Sequence, residues 1–67
     1  MMILAALVKK YEAEMVAAEA NIEVYINNPV GIGEHPDLVA AVDSEMSKLA
    51  TARDKLNTLK EYWETIE

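Results

Sequence analysis

Cysteine and phenylalanine are absent from this chain, and it holds only two prolines, two glycines and one histidine. Without cysteine there is no disulfide and no thiolate metal cage, a composition that suits a reducing compartment. With a single histidine, no cysteine and no paired buried carboxylates, a nucleophile and its base cannot be assembled, so the expectation is a protein that is not an enzyme and carries no cofactor. Basic residues are scarce: six against twelve acidic ones, a formal net charge of -6. That balance repels phosphate backbones and anionic lipid, which argues against nucleic acid and membrane surfaces as partners. Long apolar runs are missing as well. The opening "MMILAALV" is too short to span a bilayer, and its lysines, Lys9 and Lys10, follow rather than precede the run. It reads as the first turns of a helix.

What the chain does have is 52% hydrophobic residues in 67 positions. A chain of this length is one domain at most and buries only about 60% of its unfolded surface. Small scaffolds need a disulfide, a metal or oligomerisation to supplement such a core. With the first closed, oligomerisation is the expected support.

From Met1 to about Asn27 no proline or glycine interrupts the chain. Leu4, Val8, Tyr11, Met15, Ala18, Ile22 and Tyr25 recur at alternating steps of four and three. This is a helical seam with heptad spacing, and no comparable stretch alternates as a strand would. Off the seam lie Ile3, Leu7, Ala13, Val16, Ala17, Ala20, Val24 and Ile26, too apolar for a helix that covers a single neighbour. A second helix is predicted from about Pro36 to 65, with Pro36 in its first turn and Asp37 placing negative charge near the helix N-terminus. Its seam runs Leu38, Val42, Glu45 or Met46, Leu49, Ala52, Leu56, Leu59, Trp63 and Ile66. Its remaining surface is polar, and Glu61, Glu64 and Glu67 oppose the dipole at its end, so the last turn should fray.

The connection between the two is "NNPVGIGEHPD", residues 27–37, which contains both prolines, both glycines and the histidine. It lacks the lysine, the serine or threonine and the preceding strand of a phosphate loop. Pro29 fixes a turn dihedral, and Gly31 and Gly33 admit positive φ where other residues would strain. Val30 and Ile32 are placed to plug one end of the helix pair. Glu34, His35 and Asp37 are the corner's candidate metal ligands. They are close in sequence, interrupted by Pro36 and joined by no second histidine, so the reading is a structural corner without a metal. Without a Glu-x-x-His motif, Glu12, Glu19, Glu23 and Glu45 do not make a di-metal site.

A short connection makes the helices antiparallel. With the corner centred near Ile32, Ile22 faces Val42, Ala18 faces Met46, Met15 faces Leu49 and Val8 faces Leu56. Tyr11 then stands opposite Ala52 and Arg53, where the guanidinium can lie over the ring. Trp63 has room beside Met1 and Met2. The residues expected to form the interface are Leu4, Val8, Tyr11, Met15 and Ile22 with Val42, Leu49, Leu56 and Trp63.

The stretch "YINNPVGIGEHPDLVAAVD", with "KLATARDKLNTLKEYW" after it, resembles small uncharacterised helical-hairpin proteins of tailed bacteriophages, notably those of marine bacteria. The shared feature is the corner at residues 28–37, and the resemblance covers the C-terminal two thirds of the chain. It implies a viral or prophage origin, with a place in the host cytoplasm during infection or in the virion, and no activity.

The expectation is therefore one all-α domain over residues 1–67, with helices at about 2–27 and 36–65 around a corner at 28–35. The antiparallel hairpin dimerises into a four-helix bundle. It acts as a structural or protein-interaction module, without nucleic acid or membrane. The alternatives are a small regulator docking on a host or phage enzyme, and a weak metal site at the corner.

Overall fold

The computed structural model describes residues 1–27 and 37–66. Helix α1 spans Met2–Asn27 and helix α2 spans Leu38–Ile66, with no strand among the described residues. The Asn21 amide meets the Glu45 carboxylate at 2.7 Å, and the Lys55 ammonium lies 5.9 Å from the Tyr11 ring centroid. Ten residues back along α1 thus correspond to ten residues forward along α2, which makes the pair antiparallel. The hairpin is a rod, 51 Å in its longest dimension and 16 by 14 Å across. It is a single layer of two helices.

The helices begin differently. α1 starts with the Ala5 amide bonded to the Met1 carbonyl, has no acidic residue in its first turn, and ends with no basic residue in its last. Neither end of its dipole is compensated by a side chain of its own terminal turns. α2 is capped: Asp37 Oδ1 accepts the Ala40 N–H at 2.9 Å, while the Asp37 carbonyl accepts the Ala41 N–H at 3.2 Å. Asp37 is therefore the residue before the first turn rather than part of it, and α2 begins two residues later than its proline suggested. Pro36 itself lies outside the described residues. At its far end α2 stays helical through Ile66, where the Thr65 hydroxyl donates to the Glu61 carbonyl at 3.0 Å.

The seam is buried in the alternating pattern that the sequence sets out. Leu4, Ala18 and Ile22 of α1 are buried, as are Glu45, Leu49, Ala52, Leu56 and Leu59 of α2. The two most enclosed residues are alanines, Ala18 at 2% and Ala52 at 3% exposed. A methyl side chain lets the opposing backbone approach closely, so large neighbours can interdigitate around it. Ala18, Ile22 and Leu49 form the central cluster, with Met15 and Val42 packed against it. All five of these residues belong to the seam expected from sequence.

One open choice is settled and three expected details are different. Glu45, not Met46, occupies the seam, and Met46 is exposed. The cations beside Tyr11 are Lys10, 5.8 Å from the ring centroid, and Lys55, rather than Arg53. Both observed cross-helix pairs, 21 with 45 and 11 with 55, are offset by two residues from the predicted register, so the hairpin axis passes slightly later in the chain. Met1 and Met2 remain exposed rather than wrapped around Trp63, which is half-buried.

Candidate interaction surface

Every residue expected at the interface lies at the contact between α1 and α2 of the same chain. Leu4, Ile22, Leu49 and Leu56 are buried, and Val8, Tyr11, Met15, Val42 and Trp63 are half-buried. The corner residues Pro29, Gly31, Gly33, Glu34, His35 and Pro36 lie outside the described residues. Of the three candidate metal ligands only Asp37 is described, and one of its oxygens is committed to capping α2. Among the described residues no three His, Asp or Glu side chains gather as a metal-binding group.

The one polar position in the seam is Glu45, which is 6% exposed. Asn21 donates to its Oε1 at 2.7 Å from across the hairpin, and Lys48 donates to its Oε2 at 2.8 Å from the next turn of α2. Both carboxylate oxygens are thereby satisfied, and no buried side-chain nitrogen or oxygen among the described residues lacks a partner. The bond from Lys48, followed by that from Asn21, holds the Glu45 carboxyl below its ordinary range and outweighs the opposing effect of burial. The same contact raises the Lys48 ammonium above its ordinary range. A polar residue tied to one partner across an otherwise apolar seam penalises slippage, because any other register leaves the carboxylate without Asn21. This contact borders an open groove of about 420 Å³ that runs along one edge of the hairpin beside Lys48 and Lys55.

The signal for Glu45 was present in the sequence. Only 45 keeps the strict four–three alternation of 38, 42, 45, 49, 52, 56, 59, 63 and 66, whereas 46 breaks it. Nothing local identified Asn21 as its partner, since Asn21 lies off the α1 seam and reads as surface.

The opposite edge, at the corner end, carries an apolar groove of about 570 Å³ lined by Tyr25, Ile26, Leu38, Val39, Val42 and Met46, together with Asp43. Val39 there is 81% exposed. The third feature is the face of α1 turned away from α2. At 3.6 residues per turn, Met2, Ala6, Ala13, Ala17, Ala20 and Val24 share that face, flanked by Ile3 and Val16, and Lys9 and Lys10 are its charged members. All of these side chains are exposed, Val16 at 63% and Val24 at 56%. Ala20 and Val24 border a shallow depression with Glu23 and Asn27. This face is the longest stretch of exposed apolar side chains on α1. Among the described residues no helix is long and apolar enough to cross a membrane.

No family model, no curated protein and no solved structure matches the chain.

Proposed function

We propose that this chain is a non-enzymatic structural or protein-interaction module that associates with itself through apolar helix faces, in its simplest form a dimer of hairpins with four helices. The observation that carries this reading is the apolar face of α1 that lies opposite the intrachain seam, with Val16 and Val24 more than half exposed. Among the described residues no third element covers that face, and two-fold association is the commonest way to close one. A phage origin belongs to the same proposal, and with it a place in the host cytoplasm or the virion; both rest on the resemblance at residues 28–37. Sedimentation equilibrium tests the central point. A dimer or higher species is expected at micromolar concentration, and a clean monomer overturns self-association.

A second reading, a small regulator that docks on a host or phage enzyme, is favoured by the apolar groove at the corner end, whose Val39 projects into solvent. It predicts a stoichiometric partner retained by the monomeric hairpin and lost on Val39→Glu.

A further inference from the structure

We propose that the partner of α1's outer face is the same face of a second copy, packed antiparallel about a two-fold axis at Ala13, so that the two α1 helices form the centre of the assembly and the two α2 helices its outside. This rests on the self-association argued above and specifies its geometry. Ala6, Ala13 and Ala20 recur at seven residues on this face, and all three are exposed. Repetition at seven keeps a stripe facing a partner helix along its length, and small side chains allow two backbones to come close.

An antiparallel pair centred on Ala13 sets level those residues whose numbers sum to 26. Ala13 meets its own copy, Ala6 meets the partner's Ala20, and Met2 meets the partner's Val24. Small residues occupy the middle and larger ones the two ends. The centre then closes tightly while Met2 and Val24 fill the space where the helices diverge.

Charge selects this direction over the parallel one. The lysines of α1, Lys9 and Lys10, lie in its first half, and Glu19 and Glu23 lie in its second. In the antiparallel register Lys9 comes within one turn of the partner's Glu19 on the same flank of the contact, and Lys10 comes within one turn of the partner's Glu14. Glu19 forms no ion pair with its own chain among the described residues, whereas Lys9 reaches Glu12 at 3.6 Å and Lys10 reaches Glu14 at 3.0 Å. A parallel pairing of the same faces would instead stack lysine on lysine and glutamate on glutamate, which is repulsive, and would align the two helix dipoles. The other apolar candidate, the groove at the corner end, is confined to one end of the rod. A stable interface takes about 800 Å² from each partner, and this chain exposes 5074 Å² in all. Only a face that runs the length of a helix can supply such an area here.

The absence of native cysteine makes the geometry directly testable. In an Ala13→Cys variant the two introduced thiols face each other across the two-fold axis, within the Cα separation of about 4.4–6.8 Å that a disulfide requires. Mild oxidation of Ala13→Cys is expected to yield a covalent dimer, and the same treatment of Ala50→Cys, on the exposed surface of α2, is expected to yield none. In parallel, Ala13→Glu places two carboxylates against each other at the axis. It is expected to weaken association roughly a hundredfold or more while helical circular dichroism is retained, because Ala13 lies outside the seam. If the parent sediments as a monomer, self-association fails and this geometry with it. If the parent is a dimer but Ala13→Cys does not cross-link and Ala13→Glu remains dimeric, self-association stands and the α1 pairing is overturned.

Discussion

α1 and α2 are similar in length and share one seam, yet they divide their remaining surface in opposite ways. Away from the seam α2 presents Asp43, Ser44, Ser47, Asp54, Asn57, Lys60, Glu61 and Glu64, the wet back of a helix with one neighbour. α1 presents Met2, Ala6, Ala13, Val16, Ala17, Ala20 and Val24 on the face turned away from α2. A shared seam therefore conceals different outer surfaces. The apolar exposure left on α2 is scattered, at Val39, Met46, Tyr62 and Ile66, whereas α1 keeps a second apolar face along its length. The difference teaches that the seam leaves a second apolar face uncovered along α1, and that the proposed self-association depends on that helix.

The largest effects should come from the seam, where the two helices are equivalent. Leu49→Ala removes a buried side chain from the central cluster and is expected to cost about 2–5 kcal/mol, measured by denaturant melting. That is a large share of the stability a small domain possesses, and a melting curve that matches the parent would remove the basis for treating this cluster as the core. Ala18→Leu inserts bulk at the closest approach of the two helices, with an expected cost of about 1–3 kcal/mol. The same change at Ala13, on the outer face of α1, should leave the fold of the hairpin intact, so the pair of variants separates seam from outer face by melting and sedimentation together.

A smaller effect is expected at the N-terminus of α2. Asp37→Ala removes a cap that α1 has no counterpart for and should cost about 0.5–2 kcal/mol. A thermal midpoint unchanged in that variant would mean that the cap contributes nothing. Glu45 supplies a pH test of the seam. Its folded pKa is depressed, so its contribution is fully present above the ordinary value of 4.5 and is lost as pH falls through the folded value. Lys48 is shifted the other way, and its contribution is present below the ordinary 10.5 and lost as pH rises through the folded value. Stability should therefore decline at both extremes, and Glu45→Gln should flatten the acid side of the profile; an acid limb identical to the parent's would show that Glu45 is not its source. Least of all, Ala50→Glu on the exposed surface of α2 should change stability by less than about 0.5 kcal/mol and leave the sedimentation profile as it was. Dissociation by that variant would erase the contrast between the two helices.

Much of the hairpin could be read before any coordinates. The unbroken run from Met1 to Asn27, the four–three recurrence on both helices and the breakers between them set out two helices and name the residues of their contact. Leu4, Ile22, Leu49 and Leu56 are legible because a stripe of large apolar residues at helical spacing has no other place to go. Glu45 was harder. A carboxylate at a seam position reads as an error in the pattern until Asn21 and Lys48 are seen to satisfy both its oxygens. Tyr11 was misassigned to Arg53 because the offset between the helices was wrong by two residues, enough to exchange one basic neighbour for another. The apolar excess of α1 was visible in the sequence, but periodicity alone did not say which of those side chains would stay exposed.

By itself the sequence determined the local structure and the stripe each helix buries, because helical spacing and the placement of proline and glycine act over a few residues. The tertiary structure decided the rotation of each helix about its axis, the axial offset that pairs Asn21 with Glu45, and hence which face of α1 remains open. Those quantities depend on the fit of the whole contact at once. Ala18 and Ala52 permit the close approach, Glu45 penalises every register but one, and the side chains that lie outside that fit are the ones left exposed.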